Sequence, residues 1–110
     1  MGRYKMLVFS EPFAGCDAEF DAWYDDRHLA DICALDGFAS AQRFRLHSVQ
    51  MGTGLNRCLA IYDLESDDPD GDIAAMFAAR DTPAMPISPA FNLDATTVLV
   101  YEETGPQVVA

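Results

Sequence analysis

Tyr24, His28 and Asp31 stand within one short stretch, Trp23-Tyr24-Asp25-Asp26-Arg27-His28-Leu29-Ala30-Asp31. If that stretch is helical, residues three and four apart are neighbours, so a phenol, an imidazole and a carboxylate line one side. The trio offers a hydrogen-bond donor, a base that titrates near neutral pH and a carboxylate able to fix the imidazole's tautomer, which together are the parts of general acid-base catalysis. Trp23, the single tryptophan of the chain, joins them as a substrate-binding candidate. Two competing readings stand beside this one. An aromatic stripe with an embedded histidine also describes plain core packing, and Arg27 and Asp31, at i and i+4, could form a surface ion pair that takes the carboxylate away from His28.

Further candidates come from predicted strands. Arg43 and His47 alternate with Arg45 along one face and read either as an anion-recognising group or as an ordinary polar edge. Tyr62 follows Cys58 and Ala60 at strand spacing, so it is a core tyrosine or, with small neighbours beside its phenol, a cavity-lining one. There is no glycine-rich phosphate loop, nucleophile elbow or cofactor fingerprint, and the acidic run Ser66 to Asp72 lacks the spacing and terminal glutamate of a calcium loop. No metal site and no cofactor are expected.

The elements that must position these residues follow from patterning. Tyr4 to Phe9 is a short run apolar on both faces, hence a central strand. Asp17 to Leu35 reads as a helix with acids in its first turn and Gly37 just beyond its end, and its packing stripe is Phe20, Trp23, Ala30 and Ala34 with Tyr24 on the shoulder. Phe38 to Val49 reads as an edge strand in which Phe38, Ser40, Gln42 and Phe44 share a face. Gly52 to Gly54 is a turn, and Leu55 to Leu64 a second central strand. A second helix is expected from about Asp70 to Arg80, burying Ile73, Met76 and Phe77. Thr82 to Pro89, with three prolines, must be irregular. Asp94 to Glu103 is the fourth strand.

This βαββαβ order folds most simply as an α+β domain of ferredoxin-like type, with a four-stranded antiparallel sheet and two helices on one face. A chain of 110 residues buries roughly 65% of its unfolded surface, enough for one core and one domain over 1–110. Three strands apolar on both sides leave the other sheet face uncovered, and a two-fold partner is its simplest cover, so a homodimer is expected.

Eighteen acidic residues against seven basic ones leave a net charge of −11, which argues against nucleic acid and anionic membrane as partners. The odd, scattered Cys16, Cys33 and Cys58 suggest neither a disulfide framework nor zinc. The run Met6 to Phe9 is far shorter than a signal core or membrane span. A cytoplasmic protein with a small-molecule partner is the expectation.

The run WYDDRHLADICALDGFASAQRFRL, with the early and late strands, resembles the EthD-like group of the dimeric α+β-barrel superfamily. Trp23, Tyr24, His28, Gly37 and Phe38 carry the likeness. A departure is Ala30, where relatives commonly place a proline just after the histidine-apolar pair. The resemblance implies a ferredoxin-like homodimer with a pocket between helices and sheet in each subunit, faced by the matched histidine. It also implies a cofactor-independent isomerase, cyclase or lyase acting on an aromatic-derived, lactone-like or polyketide-like molecule, with a non-catalytic small-molecule-binding dimer as the alternative.

Overall fold

The first apolar run forms strand β1 (Gly2–Ser10), whose alternate side chains Met6, Val8 and Ser10 are buried. It is central because both of its edges are taken. It pairs antiparallel with β3 (Cys58–Ser66) from Gly2↔Ser66 to Ser10↔Cys58, and with β4 (Thr97–Glu102) from Tyr4↔Glu102 to Phe9↔Thr97. The polar strand β2 (Phe38–Arg45) pairs with β3 alone and is therefore an edge, giving the sheet order β2-β3-β1-β4. The computed structural model describes residues 1–110 in this ferredoxin-like α+β arrangement.

The helices lie on one face of the sheet. The first is a single rod in three parts: α1 (Asp17–Trp23), a π-helical turn (Tyr24–His28) and α2 (Leu29–Cys33). Its buried positions are Phe20, Tyr24, His28 and Ile32, whereas Ala30 and Ala34, expected on the packing stripe, face solvent. The reason is the π turn. In an α-helix a side chain twelve residues on is rotated by about 120°. One extra residue absorbed in a π turn takes back about 100°, so a run spaced by four stays over the sheet. The rod ends short of Leu35. Gly37 follows with φ +87°, where a Cβ would lie 2.6 Å from an Asp72 carboxylate oxygen and 2.8 Å from a Leu64 methyl, so only glycine fits.

A β-bulge between Phe38 and Ser40 re-aims the start of β2. Phe38 is therefore buried opposite Leu64, on the same side as Ala41 and Arg43 instead of sharing a face with Ser40, Gln42 and Phe44 as the alternation alone suggested. The strand stops at Arg45, leaving His47 outside it and exposed. Helix α3 (Pro69–Ala79) begins where Asp68 accepts a hydrogen bond from the Gly71 amide at 3.1 Å and Pro69 fills the first turn. It buries Met76 and half-buries Ile73, while Phe77, expected inside, is 44% exposed. Phe77 lies instead at the rim of a cavity.

The proline-rich segment after α3 has no regular structure, yet it is pinned. Asp81 adopts a left-handed φ of +61° and its amide donates to the Met85 carbonyl at 2.9 Å. The Phe13 amide donates to the Ala90 carbonyl at 2.9 Å, and Trp23 Nε1 donates to the Pro86 carbonyl at 3.0 Å. Met85 and Ala90 are thereby buried with Met6, Phe20, Tyr62 and Met76 in one core. No helix is long and apolar enough to cross a membrane.

Candidate functional site

The sheet supplies a floor of Met6, Val8 and Val98, the first helix supplies His28 and Ile32, and the pinned segment closes over them with Met85 and Phe91. Between these layers remains a cavity of about 70 Å³. Almost all of its lining is apolar. His28 is the polar side chain that the first helix presents to it, and the π turn is what keeps His28 on the inner face. π turns inside helices occur often at functional sites.

His28 is 7% exposed, its ring stacks on Trp23 at 4.3 Å between centroids, and the edge of Tyr24 meets it at 5.0 Å. Its Nδ1 is enclosed and has no hydrogen-bond partner. Burial among these rings lowers its pKa from the ordinary 6.5 to about 4, with the Asp31 charge opposing part of the effect. At neutral pH the imidazole is therefore uncharged, with a lone pair free. An orphaned buried nitrogen costs roughly 1–3 kcal/mol.

Tyr24 is not turned to the same space. Its ring packs edge-on to Phe20 at 5.2 Å, and its hydroxyl lies with those of Tyr62 and Ser10 beneath the helix. These three hydroxyls are close enough to influence one another, but none is aligned in a well-formed hydrogen bond. Burial raises both phenols well above the usual range, so each is a neutral donor. Arg43 covers this group from β2. Its guanidinium sits 4.9 Å from the Tyr24 ring centroid and bridges Asp21 at 2.8 Å and Asp25 at 3.0 Å. The guanidinium is thus committed to two carboxylates on the helix.

The structure places His28 in the cavity wall with Trp23 stacked behind it and outside the lining, and Tyr24, Tyr62 and Arg43 in an adjoining layer. It separates two other candidates from them. Asp31 accepts from Arg27 Nε at 3.0 Å and makes no hydrogen bond to His28, so its part is electrostatic. Arg27 itself also donates to the Pro83 carbonyl at 3.0 Å, which fixes it, and with it Asp31, against the closing segment. His47 is exposed beyond the end of β2, because that strand ends two residues earlier. Sequence reasoning missed the closing segment as a wall of the site. The signal was present in Met85 and Ile87, set between prolines, and in Phe91 just beyond them, apolar residues where a solvated loop would carry polar ones. No group of three or more histidine, cysteine or acidic side chains is placed to hold a metal ion.

Comparison with known proteins gives the fold an independent parallel. The chain is similar to a crystal structure of an ethyl tert-butyl ether (EthD) family protein from Bacillus halodurans, at 14% identity and a TM-score of 0.59, covering 94% of this chain and all of the other. The ferredoxin-like, EthD-like fold is thereby established. No family model and no curated protein matches the sequence.

Proposed function

We propose that this protein binds a small organic molecule in the cavity beside His28 and converts it without a cofactor, as an isomerase, cyclase or lyase of an aromatic-derived, lactone-like or polyketide-like compound. The observation that carries the reading is a buried, neutral imidazole set in the wall of an otherwise apolar cavity. A neutral imidazole accepts a proton from a carbon acid only if the resulting anion stays close, since in a poorly solvated site the two opposite charges stabilise each other strongly. His28 is the general base in this scheme. The Asp31 charge favours the imidazolium as it forms, and Trp23 holds the ring in place.

A second reading, a non-catalytic binding protein, is favoured by the placement of the Tyr24 hydroxyl away from the cavity, which leaves His28 without a neighbouring acid. The open sheet face supports a homodimer in either case. Leu7, Ile61, Phe44 and Tyr101 line a groove of about 540 Å³ there together with the paired Lys5 and Asp63, and such a surface is unfavourable in water unless covered.

The test is a thermal-shift screen of wild type and His28→Gln against aromatic acids, lactones and phenols. A ligand at one hundred times its dissociation constant adds about 2.7 kcal/mol of stability. Stabilisation of the wild type that is weakened in the variant supports the site, and turnover of the same compound then separates enzyme from binder. If no compound shifts the wild type, the reading is wrong.

A further inference from the structure

Seven basic side chains face eighteen acidic ones in this chain, and most of the basic ones are paired. Arg3, Lys5, Arg27, Arg43 and Arg57 each pair with at least one carboxylate. Arg45 and Arg80 do not. Arg45 lies on a charged cleft beside Asp17, Asp21 and Arg57. Arg80 lines the His28 cavity, is exposed to solvent, and is the one cation of that lining.

The position of Arg80 is set by its backbone. It caps α3, its amide donating to the Phe77 carbonyl at 3.2 Å, and the left-handed Asp81 that follows is tied to Met85. Thr82 Oγ1 donates to the Ala79 carbonyl at 2.6 Å and holds the same turn. Phe77 and Leu93, 44% and 51% exposed, flank it at the rim.

Size adds a constraint. The space of about 70 Å³ there is about half of the roughly 150 Å³ apolar cavity known to admit benzene. A ligand that reaches His28 must therefore extend out toward the exposed part of the lining, which includes Phe77, Leu93 and Arg80.

Building on the cavity reading above, we infer that the ligand is amphipathic and anionic, with an apolar body directed toward His28 and a carboxylate or comparable anion held by Arg80 at the mouth. The guanidinium offers paired donors to such a group. The Arg80 side chain makes no ion pair or hydrogen bond within the chain, unlike the five paired cations, so its donors are free for a ligand.

The probes are hexanoate, whose chain is narrower than a ring, and its neutral amide, hexanamide, titrated calorimetrically into wild type, Arg80→Gln and Arg80→Glu. A half-exposed ion pair predicts that wild type binds the acid about fivefold more tightly than the amide, a preference that shrinks as salt is raised. In Arg80→Gln the preference should fall away with the affinity for the amide unchanged, and in Arg80→Glu it should invert. An unchanged amide affinity also shows that the exposed substitution left the cavity folded. Equal binding of acid and amide by wild type, or a preference that survives in Arg80→Gln, overturns the inference while leaving the cavity reading in place. Failure of both probes to bind overturns the two together.

Discussion

Lowering the pH from 7.5 to 5 should destabilise this protein through one side chain. His28 has a folded-state pKa of about 4 against an ordinary 6.5, so the unfolded chain takes up a proton that the folded chain refuses. Because the folded value is depressed for a cationic acid, stability is full above 6.5 and is lost as pH falls from 6.5 toward 4. At pH 5 the unfolded imidazole is almost fully protonated and the folded one about one-tenth, a loss of about 2 kcal/mol, rising to about 3 kcal/mol below pH 4. For a domain of this size that is a fall in Tm of roughly 8 °C at pH 5. The carboxylates act lower: Asp63, held below its usual range by Lys5 and Ser40, contributes stability that is lost only as pH falls through its own depressed value. Urea unfolding at pH 7.5 and 5.0, for wild type and His28→Gln, isolates the effect, because the pH difference within each protein cancels any offset from the substitution. Wild type should lose about 2 kcal/mol and the variant much less. Equal losses in the two proteins, or no loss in wild type, would refute the assignment of His28 as a buried neutral imidazole.

Three further outcomes follow from the packing. Tyr62→Phe removes a buried hydroxyl without a well-formed partner and should leave thermal stability unchanged or raise it by about 1 kcal/mol; a loss of that size would mean the hydroxyl is bonded in solution. Gly37→Ala meets both a positive φ and close contacts with Asp72 and Leu64, and urea unfolding should show a cost of about 2 kcal/mol. Leu7→Lys on the open sheet face should halve the mass measured by light scattering toward the 12.1 kDa of one chain, whereas a monomeric wild type would remove the sheet-to-sheet dimer.

Much of the architecture was legible because its signals are local. Short apolar runs ended by turn residues marked β1, β3 and β4, and the polar content of β2 marked an edge. The second helix, expected from about Asp70, begins one residue earlier at Pro69 behind the Asp68 cap, and Gly37 marked the end of the first helix. What escaped has a common cause. The π turn and the Phe38 bulge each insert one residue into a regular period, and no local propensity encodes them. They form because the core takes Tyr24, His28 and Phe38 on one side and rejects Ala30 and Ala34. Within the candidate site, His28 and Trp23 were readable from their spacing on a helix. The Arg43 clamp was half visible, since Asp21 and Asp25 sit one turn apart, but only the fold brings β2 across them. Asp31 illustrates the opposite: its i, i+4 arginine was the better predictor of its partner than the histidine three residues before it.

With only two histidines in the chain, imidazole NMR resonances resolve the central claim directly. Spectra of protein labelled in its histidine rings should be followed during titration with the compounds that stabilise wild type in the thermal screen, or with hexanoate as the starting probe. The account predicts a saturable shift of the His28 ring signals, with the exposed His47 unmoved. Saturable stabilisation by a compound that leaves the His28 signals in place would contradict it, since the ligand would then be bound elsewhere and the imidazole would be part of the core alone.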